Sequence, residues 1–173
     1  MKLHYPLSFL AINMVLSASC GAAELKASIE IPQFKVAEYH RPYTAIWLEK
    51  SDQSFAANLS VWYDSKQENN KGQEWLKDLR QWWRKSGREL QLPIDFLSGA
   101  SRAPGKHQLI FKSDKAPLNT LTAGKYRLVV ESARELGGRE LVAIPFQWPI
   151  TTPQNLKTDG KHELGTVALD LTP

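Results

Sequence analysis

Leu25, Ala27, Ile29 and Ile31 alternate with Lys26, Ser28 and Glu30. That period of two predicts a half-buried strand over residues 25–34. Pro32 cannot donate to a ladder, so this end is expected at an edge or a bulge. Tyr43–Glu49 and Phe55–Tyr63 read as a second and a third strand, joined by the loop Ser51-Asp52-Gln53-Ser54. The period then changes. Trp75, Leu76, Leu79, Trp82 and Trp83 fall within one arc of a 3.6-residue helix, and Lys77, Arg80 and Arg84 fall on the opposite side. One amphipathic helix is therefore predicted over residues 74–86, with Asn70 and Gln73 as a capping box and Gly87 as a left-handed C-terminal residue. Strands resume at His107–Lys112. Two β-rich runs flank Gly137-Gly138 as a hairpin, and Val167, Leu169 and Leu171 alternate with Ala168, Asp170 and Thr172 in a last strand.

About seven strands and one helix fit a mainly β chain. Leu121, Gly124 and Tyr126 resemble the tyrosine corner of immunoglobulin-like sandwiches, in which the Tyr hydroxyl bonds back to nearby backbone. The expected fold is an immunoglobulin-like antiparallel β-sandwich spanning residues 24–173, with a helical insertion at about 70–105.

The first 23 residues carry a different pattern. Lys2 and His4 precede an apolar run, Leu7–Leu16, which is too short to span a bilayer. Small residues follow, and Gly21 and Ala23 suit the −3 and −1 positions of a cleavage site. A signal peptide over residues 1–23 and export to the periplasm are expected. The single cysteine, Cys20, offers lipid anchoring as a rival. Leu16 sits one place further from it than a lipobox prefers. Cleavage after Ala23 leaves no cysteine, which excludes disulfides and thiol nucleophiles. Without Lys2 the chain carries 21 basic and 18 acidic residues, a surplus too small to argue for nucleic acid.

The chain has no nucleophile elbow, Walker loop, HExxH motif or paired-cysteine metal motif. His40, His107 and His162 lie in three separate segments, so no metal site is expected from spacing. Asn58-Leu59-Ser60 matches a glycosylation sequon but falls inside a predicted strand. All six tryptophans lie after residue 23. They suit either a core or a flat platform for a sugar or flavin ring, and Trp82 and Trp83 diverge by about 100° on a helix.

The stretch Asp95-Phe96-Leu97-Ser98-Gly99-Ala100-Ser101 resembles the acceptor site of bacterial flavin transferases. That pattern has an Asp, two residues, Ser or Thr, Gly-Ala, then a hydroxyl residue that takes FMN through a phosphoester bond. The resemblance makes Ser101 the acceptor, with Asp95, Ser98, Gly99 and Ala100 as the rest of the motif. The family's usual acceptor is Thr, so Ser101 is a departure. Ser98–Gly105 is read as an accessible loop, Arg102 as the charge beside the phosphate (with Arg80, Arg84 or Arg88 assisting if the helix folds over the loop), and Trp82 or Trp83 as flanking the ring. The segments IEIPQF, EYHRPY, IWLE, DLRQWWRKSGR, SGASRAPG and ESARELGGRELV also resemble a family of predicted periplasmic proteins of unknown function. The resemblance covers most of residues 25–150. It implies association with flavin transferases and PepSY-type inner-membrane proteins, in systems linked to extracytosolic electron transfer and ferric-siderophore reduction. The expected function is thus a periplasmic electron carrier with covalent FMN, rather than a stand-alone enzyme. The alternative is a cofactor-free binding or accessory module, a membrane-complex partner or a carbohydrate binder.

Overall fold

The computed structural model describes residues 21–65 and 68–173, with side chains from residue 71 onward in the second stretch. The expected signal peptide, residues 1–23, lies outside the described residues apart from its last three positions, as do Cys20 and the side chain of Asn70.

Two sheets face each other. The first runs β5 (Gly105–Lys112), β1 (Glu24–Ile31), β9 (Thr166–Thr172), β8 (Gln154–Asp159). The second runs β4 (Ser98–Ala100), β3 (Phe55–Tyr63), β2 (Tyr43–Lys50), β6 (Gly124–Ala133), β7 (Arg139–Trp148). The chain is mainly β and sandwich-like, as expected. Nine strands rather than seven make up the described sheets. The two additional ones have weak patterns. β4 is Ser-Gly-Ala, with no β-branched residue, and β8 is a polar edge strand in which only Leu156 is apolar. Nor is the sandwich wholly antiparallel: β4 runs parallel to β3, with Ser98 opposite Val61, Gly99 opposite Trp62 and Ala100 opposite Tyr63.

The inner faces form the main core. Leu25, Ala27, Ile29 and Ile31 of β1 meet Ile46 and Leu48 of β2, Leu128 and Val130 of β6, and Leu169 and Leu171 of β9. A second core covers the outer face of the larger sheet. There Tyr43, Ala45, Trp47, Val61, Tyr63 and Val129 lie under Leu76, Leu79 and Trp82. Strand β2 is buried on both faces, which explains why its sequence does not alternate. The tyrosine corner is formed: Tyr126 Oη donates to the Thr122 carbonyl at 2.8 Å.

The single helix of residues 74–86 is not formed. A 3₁₀ stretch spans Glu68–Asp78, α1 is only Arg80–Lys85, and a 3₁₀ turn follows at Gly87–Glu89. In 3₁₀ geometry residues three apart eclipse. Leu76 and Leu79 therefore stack on the sheet while Trp75 is rotated outward, 38% exposed. Leu79 N donates to Leu76 O at 3.1 Å, the bond that closes this turn. Gly87 does not take a left-handed conformation. It lies against Trp82, where a Cβ would stand 2.5 Å from the indole.

Candidate functional site

The acceptor-like stretch sits where two sheet edges come together. β4 is the edge of the larger sheet and β5 the edge of the smaller one. A tight turn leads into β4. Ser98 N donates to Ile94 O at 2.9 Å, and Ile94 N donates back to Ser98 Oγ at 3.0 Å. Within it Phe96 is held at φ 64°, in the left-handed region, and is fully exposed. A bulky residue reaches that region at a cost of about 1–2 kcal/mol.

The turn forms one wall of a groove of about 620 Å³. Asp95, Phe96 and Leu97 face Leu109, Ile110 and Phe111 of β5 across it. Lys112 and Lys115 stand at the rim, and Asn58 and Leu59 of β3 also line it. Its size and apolar walls are those of a small-molecule site.

The motif's two hydroxyls differ. Ser98 Oγ is committed to the Ile94 N–H. Ser101 N donates to Tyr63 O at 3.0 Å, extending the pairing of β3 past β4, but Ser101 Oγ enters no hydrogen bond among the described residues. Ser101 is half-buried, and Asp95 and Arg102 are exposed. Residues 98–100, expected as a free loop, are instead a short edge strand. Gly99 lies on the Trp62 indole: a Cβ there would stand 3.2 Å from Cδ1. The Arg102 guanidinium stacks over the same indole, 5.2 Å from its centroid, and His107 meets it edge-on at 5.8 Å.

Trp82 and Trp83, expected to flank the ring, go elsewhere. Trp82 is fully buried, and its Nε1 donates to Asn58 Oδ1 at 2.8 Å while Asn58 Nδ2 donates to Ser86 Oγ at 2.7 Å. Both faces of Trp82 are thus covered by protein, and the sequon asparagine is used internally. Trp83, half-buried, lines a separate pocket with Lys77, Arg80, Arg84 and Arg139. Arg88 lies 3.7 Å from Glu89 on an exposed turn. The histidines remain apart: His40 between Glu38 and Glu135, His107 on Trp62, and His162 with its backbone N–H on Glu140.

Residues 24–166 match the family model described as predicted periplasmic protein (DUF2271). The chain belongs to this family. No curated protein and no solved structure matches it. The family description carries a periplasmic assignment and no chemistry, so the chemistry rests on the chain's own residues.

Two carboxylates that no sequence motif singles out hold α1 against the larger sheet. Glu131 of β6 is fully buried and accepts the backbone N–H groups of Gln81, at 3.1 Å, and Trp82, at 2.9 Å. It also pairs with Arg139 at 2.6 Å. Glu49 of β2, equally buried, pairs with Lys85 and Arg127 and accepts Trp47 Nε1 at 3.0 Å. Burial alone raises its pKa; the bonds from Lys85, Arg127 and Trp47 outweigh that and hold it below the usual value. Their sequence signal is a lone acid ending or interrupting an apolar alternation, Tyr43-Ala45-Trp47-Glu49 and Val129-Glu131-Ala133.

Proposed function

We propose that this chain is a periplasmic electron carrier that bears FMN covalently on Ser101. The observation that carries the reading is the contrast between the motif's hydroxyls: Ser98 is spent on its own turn, and Ser101 Oγ is uncommitted at a sheet edge beside an exposed arginine. Those residues fit the group. Attachment joins Ser101 Oγ to the flavin-side phosphorus of FAD, breaks the pyrophosphate bond, and releases AMP and a proton. A flavin transferase supplies the catalysis. When bound, the flavin accepts and returns electrons, one or two at a time.

The protein's part is presentation and electrostatics. β4 is three residues long and pairs on one side only, so a transferase has access to it. Arg102 is adjacent to the acceptor and offsets the phosphodiester charge. Gly99 keeps the strand close to Trp62 and bulk away from the acceptor. Trp82, sealed in the second core, is not part of the ring's surroundings in this reading, and Phe96 is the exposed aromatic of the motif. The electron donor is a PepSY-type inner-membrane reductase, with ferric-siderophore reduction as the downstream use.

The groove supports a second reading, a cofactor-free accessory module that docks a partner of a membrane complex. A sugar platform has less support, because Trp75 alone among the six tryptophans is more than a third exposed. The experiment is co-expression with a flavin transferase, followed by a denaturing gel viewed for flavin fluorescence. Wild type is expected to fluoresce, and Ser101→Ala to be dark with unchanged circular dichroism. A labelled Ser101→Ala protein, or a dark wild type beside a labelled control acceptor, sinks the carrier reading and leaves the accessory module.

A further inference from the structure

We propose that the pocket floored by Trp83 binds a small planar aromatic polyanion, a ring bearing two or more carboxylate or phosphate groups. The pocket is about 460 Å³ and is lined by Lys77, Arg80, Gln81, Trp83, Arg84 and Arg139. No carboxylate is among these residues. Of the four cations only Arg139 has an acidic partner among the described residues, Glu131 at 2.6 Å. Glu131 is itself occupied by the N–H groups of Gln81 and Trp82. Arg84 Nε donates only to the Arg80 carbonyl, at 3.3 Å.

This arrangement runs against local helix chemistry. Arg80 and Arg84 are four apart on α1, and Lys77, near the end of the 3₁₀ stretch, lines the same pocket, so like charges crowd one exposed face. Among the described residues Glu131 offsets this charge only at Arg139, and a conflict left in part uncompensated is expected at a binding site. An anion relieves it, and guanidinium groups grip carboxylate or phosphate in two-pronged fashion. Trp83 adds the requirement for a ring. Its indole is backed by Trp82 at 6.4 Å between centroids, and Trp82 is pinned through Asn58. The floor is therefore rigid, and a flat ligand loses little on stacking against it. The inference stands independently of Ser101, whose hydroxyl lies outside this pocket.

The probe is benzene-1,3,5-tricarboxylate, titrated into the purified protein by calorimetry and tryptophan fluorescence. It is added at about 0.01 M ionic strength, where the screening length is about 30 Å. Saturable binding is expected, weakened about tenfold or more in Arg80→Gln/Arg84→Gln by loss of the charge-assisted bonds. Trp83→Leu is expected to weaken it as well, and inorganic phosphate and uncharged 1,3,5-tris(hydroxymethyl)benzene to bind at least roughly tenfold less tightly. Trp83 also packs against the second core, so of the two variants the double-arginine one, altered only at exposed positions, is the decisive one. No saturable signal, equal affinity in that variant, or equal affinity for phosphate overturns the proposal.

Discussion

Phe96 is the residue whose environment contradicts its type. It is fully exposed, and its backbone sits at φ 64°. A phenylalanine gains nothing from burial there, and Asn tolerates the left-handed region better. Phe96→Asn is expected to stabilise the fold by about 0.5–1 kcal/mol in urea denaturation. An unchanged or lower stability would mean that Phe96 contributes packing the fold needs. If the substitution stabilises, the wild-type side chain is kept for something other than folding. Gly87 shows the opposite case. Its identity follows from close approach, since a methyl group would meet the Trp82 indole at 2.5 Å. Gly87→Ala is expected to destabilise by about 1–3 kcal/mol, read as a lower urea midpoint with unchanged slope. Both residues looked ordinary in the sequence. A glycine after an amphipathic stretch reads as a helix end, and only the position of the Trp82 ring shows the steric reason.

The strands that were legible are those with one buried face or strong β-formers. The residue pattern places Phe55–Tyr63 to the residue, and Tyr43–Glu49 lacks only Lys50. What escaped was set by tertiary contacts. β4 is a strand because its neighbour β3 offers an unpaired edge, not because Ser-Gly-Ala prefers one. The break between the 3₁₀ stretch and α1 has the same kind of cause. Periodicity suggested one helix, but Glu131 on β6 takes the first free N–H groups of α1 and so fixes where it begins. Lys85 at its other end reaches Glu49 on β2. Six residues, too few for an independent helix, are thus held at both ends by carboxylates of the sheet. Glu131→Gln should destabilise by about 1–3 kcal/mol, because one amide oxygen replaces two carboxylate oxygens for three donors. Amide exchange at Gln81 and Trp82 should rise more than at β2, since the loss is local to α1. Equal loss of protection across the sheet would argue that Glu131 supports β6 rather than the helix.

Across the whole molecule, buried or half-buried carboxylates join elements distant in sequence. Glu49 ties β2 to α1 and β6. Glu140 of β7 accepts the backbone N–H groups of Lys161, His162, Glu163 and Leu164, which fixes the β8–β9 turn against the other sheet. For both acids burial works to raise the pKa. The cationic and indole partners of Glu49, and the four amides around Glu140, outweigh it and leave both below the ordinary value of 4.5. A group whose folded pKa is depressed contributes stability in full above its unfolded pKa and loses it as pH falls through the folded one. The melting temperature should therefore be level from neutral pH down to about pH 5 and fall below that, as protons bind the unfolded chain more readily. Glu49→Gln separates this from general acid swelling. At pH 7 the variant should be about 2–4 kcal/mol less stable, because Lys85 and Arg127 lose their buried counter-charge. On acidification the gap should narrow, since wild type then loses the same charge by protonation. A gap that stays constant down to pH 3 would show that the Glu49 contribution is shape rather than charge, and the acid limb would have to come from Glu140 and other carboxylates.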